Sequence, residues 1–174
     1  MTVPDLRELY DTHSKRVFNT ALSIVQNTGD AEEITQDVFL HIYRSIHKFK
    51  GESSITTWIY RIAVNHSVDF LRYRRRKKRW AIFVRDDTAP DVPDFHHPGV
   101  ALEQKENAAI LFKAIDRLPD SQKTAIVLSL VEELPQKEIA EIMRSSVGAV
   151  ESLIQRAKSN LRKELENFYP DRRK

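Results

Sequence analysis

Apolar residues recur at helical spacing along nearly the whole chain. Leu6, Leu9, Tyr10, Val17, Ala21, Ile24 and Val25 predict a first helix or helix pair, closed near Gly29. Asp30 followed three residues later by Glu33 is an N-terminal capping signature that opens a second helix. There Ile34, Val38, Ile42 and Ile46 form one apolar stripe, and Gln36, Asp37, His41 and Arg44 fall off it. Residues 50–54 read as a turn, and Thr56 or Thr57 can cap a third long helix. Its stripe runs through Ile59, Ile62, Ala63, Val68 (or Asn65) and Phe70, then dissolves into residues 72–79.

Periodicity then stops. Residues 86–100 hold three Pro, one Gly and four Asp, which reads as a partly extended linker. Beyond it the pattern predicts four more helices, over 103–117, about 120–133, 136–143 and a long last one. Pro135 stands where a first-turn proline is tolerated. Ser145 and Ser146 cap the last helix, whose apolar face is Val147, Val150, Ile154, Ala157, Leu161 and Leu165. The expected fold is all-α: two small helical domains, 1–79 and 103–174, joined by an acidic, proline-containing linker over 80–102.

Composition narrows this picture. The 174 residues are 41% hydrophobic and 30% charged, which suits a helical chain better than a strand-rich one. Without cysteine, a disulfide framework, a thiolate metal site and a cysteine nucleophile all fall away. No apolar run is long enough to span a membrane, and the first residues carry no signal-peptide core, so the expected location is the cytoplasm. Charge is segmental: 14 Lys/Arg against 9 Asp/Glu in residues 1–79, 1 against 5 in 80–104, and 13 against 11 in 105–174. Two basic blocks around an acidic stretch fit two nucleic-acid-facing domains and a tether.

Two constellations carry chemistry. Residues 137–158 have the helix-turn-helix arrangement, whose second helix enters the major groove of duplex DNA. Small Ala140 and Gly148 would let the helices approach closely. With the apolar face fixed, Ala149, Glu151, Ser152, Gln155, Arg156, Lys158 and Ser159 point outward. Gln155 suits an adenine edge, Ser152 a base or phosphate, and Arg156 and Lys158 phosphates. The second is residues 72–79, seven bases in eight positions, with Phe49, Trp58, Tyr60 and Phe70 upstream and Tyr73 within the run. Aromatic faces beside a basic track hold single strands by stacking, although Trp58 suits a core position. His96 and His97 lack a third ligand, and neither a phosphate loop nor a nucleophile elbow occurs, so no enzyme, metal or cofactor is expected.

The motifs then carry a resemblance. DAEEITQDVF (residues 30–39) resembles the core-polymerase-binding helix of extracytoplasmic-function (ECF) RNA polymerase sigma factors. FKGE (49–52) and TWIYRIAVN (57–65) resemble their promoter-melting, −10-reading segment. Leu118-Pro119, EIAEIM (138–143), VGAV (147–150) and Arg156-Ala157-Lys158 resemble their −35-reading domain. These motifs are co-linear over nearly the full chain.

The resemblance implies a promoter-specificity subunit of RNA polymerase. Glu33, Gln36, Asp37, Leu40 and Arg44 would dock on the clamp helices of the largest subunit, with the flap of the second-largest subunit as a further contact. Phe49, Lys50, Ser53, Asn65, Asp69, Arg72, Arg75 and Arg76 would hold the −10 strand, including an extruded base. Ala149, Ser152, Gln155, Arg156 and Lys158 would read −35 duplex, and an anti-sigma factor is a further partner class. Three departures stand out: Glu151 repels phosphate, Leu153 cannot donate a hydrogen bond, and Pro135 replaces a small polar residue. The alternative class is a free-standing helix-turn-helix regulator, for which the N-terminal half offers no ligand pocket or phosphoacceptor pattern. An RNA-binding adaptor would leave the C-terminal module unexplained.

Overall fold

The computed structural model describes residues 5–83 and 105–168, and every regular element among them is helical. The helices are α1 (Leu6–Val25), α2 (Thr28–Ser45), α3 (Ile55–Phe83), α4 (Lys105–Asp116), α5 (Asp120–Leu130), α6 (Gln136–Met143) and α7 (Val147–Phe168). A single 3-10 turn, Ile46–Lys48, follows α2. The 86–100 stretch read as a linker lies outside the described residues. The third helix continues through Phe83, past the point where the apolar stripe dissolves.

Helices α1, α2 and α3 pack on one another around Leu22, Ile24, Val38, Ile42, Ile59 and Leu71. Asp5 opens α1 by accepting from the Arg7 N–H. The second helix starts earlier than the capping signature implies. Gln26 takes a left-handed conformation with φ 57°, which ends α1 four residues before Asp30. Asn27 is then the cap, and its Oδ1 accepts from the Asp30 N–H at 2.9 Å. Similarly α3 is capped by Ser54, whose Oγ accepts from the Thr57 N–H at 3.0 Å, so neither Thr56 nor Thr57 does that work.

Helices α4–α7 form the second unit around Ile115, Leu118, Ile126, Leu128, Ile139 and Ile142. Pro135 stands immediately before α6, where a missing N–H costs nothing. Arg144, at φ 50°, closes α6, and the Ser145 N–H reaches the Ala140 carbonyl at 2.9 Å. Ser146 Oγ then caps α7 by accepting from the Ala149 N–H at 3.2 Å. Gly148 is no close-approach position: a Cβ built there meets nothing within 4 Å. Val147 is 45% exposed, whereas Val150, Ile154, Ala157 and Leu161 are buried. Lys123 is 1% exposed, and Asp116 Oδ1 sits 2.6 Å from its Nζ. Burial pulls the Lys123 ammonium below its ordinary pKa, against the opposing pull of Asp116.

The two units touch. α3 packs on α6 and α5, and α1 packs on α5. Gln26, fully buried, donates from Nε2 to the Phe112 carbonyl at 2.9 Å.

Candidate promoter and polymerase interfaces

Three exposed rows carry the residues singled out by sequence. On α2, Glu33, Gln36, Asp37, Leu40 and Arg44 are all exposed, on the side opposite Ile34, Val38 and Ile42. Leu40 is 51% exposed, and Tyr43, which sequence patterning missed, is 65% exposed beside it. Asp37, Leu40 and Arg44 also line an open hollow with His41, Lys48 and His66. His41 Nδ1 and His66 Nε2 lie 3.2 Å apart across the α2–α3 contact. Burial, then the neighbouring His41, lowers the His66 pKa, while Asp37 and Asp69 pull it the other way.

On α3, Asn65, Asp69, Arg72 and Arg76 are exposed. Their spacing of four, three and four residues places them along one side of a helix, and Trp58 lies two turns before Asn65 on that side. Trp58 packs with Phe49 at a ring-centroid distance of 5.5 Å, which ties the preceding turn to this row. Both aromatics are half-buried, so Trp58 is a border residue between core and row. Lys50 is exposed, and Gly51 beside it turns the chain at φ 72°. Asp69 Oδ1 pairs with Arg72 Nη1 at 3.2 Å. Arg61 is half-buried, and its Nε has no protein partner among the described residues.

Not all of the expected −10 residues gather here. Ser53 instead lines a hollow toward α6, with Thr57 and Tyr60. Arg75 sits about 100° round the helix from the row, with Nη2 2.8 Å from Asp120 Oδ1 on α5. Arg74 turns inward, reaching Asp30 Oδ2 at 3.3 Å and the Val25 carbonyl at 3.4 Å. Among the described side chains of residues 72–79, the bases are therefore a mixture of free and committed ones. No count of charges could separate them.

On α7, Ala149, Glu151, Ser152, Gln155, Arg156, Lys158 and Ser159 are all exposed, along the side away from Val150, Ile154 and Ala157. Ser152 Oγ donates to the Gly148 carbonyl at 2.9 Å, a bond within its own helix. Leu153 packs against the core, so its lack of a donor group subtracts nothing from the outward face.

This arrangement of a three-helix unit and a helix-turn-helix unit matches two family models. That for Sigma-70 region 2 covers residues 9–77, and that for Sigma-70, region 4 covers residues 108–161. The chain is 34% identical to the ECF RNA polymerase sigma-E factor of Haemophilus influenzae, over 95% of this chain and 96% of that one. It is 30% identical to the ECF RNA polymerase sigma factor SigW of Bacillus subtilis, over 92% and 89% respectively. Among solved structures, the sigma factor RpoE in complex with the anti-sigma factor NepR from Bartonella quintana shares the fold. Its TM-score is 0.71 at 19% identity, over 92% of this chain and 96% of that one. CnrH in complex with the cytosolic domain of CnrY does so at TM-score 0.65 and 20% identity, over 93% and 88%.

The chain belongs to the ECF RNA polymerase sigma factors. It directs promoter-specific transcription initiation with RNA polymerase and is a non-enzymatic initiation factor. No described helix is long and apolar enough to cross a membrane.

Proposed function

We propose that residues 1–79 form the unit that binds the polymerase core and reads and melts −10 DNA. Residues 103–174 read −35 duplex, and residues 80–102 tether the two. The exposed face of α2 carries this reading furthest. An apolar pair, Leu40 and Tyr43, stands in water among Glu33, Gln36, Asp37 and Arg44. Apolar groups rimmed by charge suit a protein partner, here the clamp helices of the largest polymerase subunit. The C-terminal unit adds a contact to the flap of the second-largest subunit.

The row of α3 holds the −10 strand. Phe49 and Trp58 offer aromatic faces, Asn65 reads an extruded base, and Asp69 with Arg72 borders it. Arg72, Arg76 and Lys50 take phosphates, and Ser53 and Arg75 join when the two units separate. On α7, Gln155 and Ser152 reach base edges, Ala149 meets a thymine methyl, and Arg156 and Lys158 fix the register on the backbone. An anti-sigma factor is the second partner class, in keeping with the solved sigma factor RpoE, which shares the fold and is bound to the anti-sigma factor NepR. The work takes place in the cytoplasm, where polymerase and chromosome meet.

The test is transcription from genomic fragments by purified polymerase core, with and without this protein, followed by sequencing of transcript starts. Initiation that depends on the protein, with two shared upstream motifs, is the expected result. Binding to duplex DNA alone, without core binding or initiation, would return the chain to the free-standing regulators.

A further inference from the structure

The hollow between α2 and α3 holds a pair of imidazoles that neither promoter nor polymerase binding has called upon. His41 Nδ1 and His66 Nε2 face each other at 3.2 Å, with the rings nearly perpendicular at 80° and their centroids 5.3 Å apart. His41 is exposed and His66 half-buried, so solvent reaches the pair. Asp37 stands one turn before His41 on α2, and Asp69 about one turn after His66 on α3. Both carboxylates act on His66, while the cations Arg44 and Lys48 line the same hollow.

We propose that His41 and His66 are the two protein ligands of a divalent transition-metal ion, of the zinc, nickel or copper kind, that bridges α2 and α3. Each neutral imidazole offers one lone pair, and ions of this kind take nitrogen donors where magnesium and calcium prefer oxygen. Two nitrogens bound to a tetrahedral zinc ion at about 2.0–2.1 Å lie roughly 3.3–3.4 Å apart. The observed 3.2 Å is close to that spacing already, so an ion can replace the proton shared by the rings with little movement of either helix. Among the described residues, no three His or acidic side chains form a group able to hold a metal. Water therefore completes the coordination, and Asp37 and Asp69 are the carboxylates at hand to accept hydrogen bonds from it. Structural zinc sites close with four protein ligands, so a site with two is exchangeable and follows the ambient metal. Its ligands lie 25 residues apart on two helices, where no spacing motif announces them. A bound ion clips the middle of α2 to α3 beside Leu40 and Arg44, and so stiffens the face assigned to polymerase. That consequence rests on the polymerase assignment, whereas the site itself does not.

The test uses the full chain, stripped with chelator, in a background of His96→Gln and His97→Gln that silences the adjacent histidines of the linker. Zinc is titrated calorimetrically, with magnesium as the hard-ion control. One zinc per chain is expected, and magnesium should give no heat. His41→Gln and His66→Gln should each weaken zinc binding roughly tenfold or more. Copper bound to the background chain should show two nitrogen ligands by electron paramagnetic resonance, and one fewer in either variant. Zinc should also raise the melting midpoint of the background chain and leave that of His41→Gln unmoved. Zinc affinity that survives His41→Gln would overturn the bridge, as would a copper spectrum with the same nitrogen count in that variant. If His66→Gln fails to fold, His41→Gln decides alone, because its position is exposed. A chain that binds zinc through both histidines yet gives no initiation with polymerase core would sink the polymerase assignment and keep the site. A chain that initiates and binds no zinc would do the reverse.

Discussion

The outward rows of α3 and α7 are built alike and placed differently. Helix α7 buries one side within its own unit and leaves the other wholly exposed, with Ser152 bonded only to its own helix. Helix α3 is contacted by α1, α2, α5 and α6, and three of its arginines already hold carboxylates: Arg72 with Asp69, Arg74 with Asp30, and Arg75 with Asp120. A duplex reader can be a rigid edge presented to solvent, because the duplex brings its own regular shape. A strand reader has to shape a flexible partner. On the proposed assignment, its charges are spread over α3, a helix that also contacts both units.

The comparison breaks most readily through the core. Ile59→Ala and Ile154→Ala should each cost about 2–5 kcal/mol in urea melts, from sites that are 0% and 4% exposed. Because α3 touches both units, Ile59→Ala should lower a single shared transition. A melt in which only one half of the helical signal shifts would remove α3 from its central place. Next in size is Asp37→Arg, which should reduce co-purification with polymerase core at least tenfold and leave oligothymidylate binding intact. Normal co-purification would take α2 out of the polymerase interface.

Gln155→Ala should alter preference at one −35 position by about 1–3 kcal/mol, and Asn65→Ala should blunt −10 selectivity with core affinity kept. A transcript-start profile that either variant leaves unchanged would sink that residue's role. Neighbouring arginines sharpen the contrast further. Arg74→Ala should cost about 1 kcal/mol of stability through its pairing with Asp30. Arg76→Ala should leave stability alone and reduce the salt slope of DNA binding by about one.

The smallest effect is a pH slope from His66. The folded chain holds His66 below its ordinary value of 6.5, so it binds fewer protons than the unfolded chain over the window beneath that value. Stability therefore falls as pH drops below about 6.5, and His66→Gln should flatten the fall between pH 7 and pH 5. A slope that survives the substitution would place its origin elsewhere.

Elements whose signals are local were legible in the sequence. The span of α6 and the Ser146 cap of α7 follow from Pro135, four well-spaced apolar residues and two serines. The start of α2 was misplaced because Asp30-Glu33 imitates a cap. The true cap, Asn27, depends on Gln26 adopting a left-handed backbone. Lys123 was unreadable because a pattern assigns lysine to water, and only the fold brings Asp116 within 2.6 Å of its buried ammonium. The commitments of Arg74 and Arg75 were hidden for a related reason: each partner lies more than forty residues away in the chain. The three exposed rows were readable as positions off an apolar stripe. Their proposed use by polymerase and promoter rests on motif resemblance.

The empty space around Gly148 bears on how such a protein could acquire new targets. The second residue of α7 carries no side chain and presses on nothing. Alanine there would strengthen the helix by roughly 0.5–1 kcal/mol, and larger residues would project into solvent ahead of Ala149 and Ser152. The position is thus a vacancy for variation. Filling it would alter the face that this helix is proposed to present to DNA, without disturbing the packing that lets the rest of the chain fold.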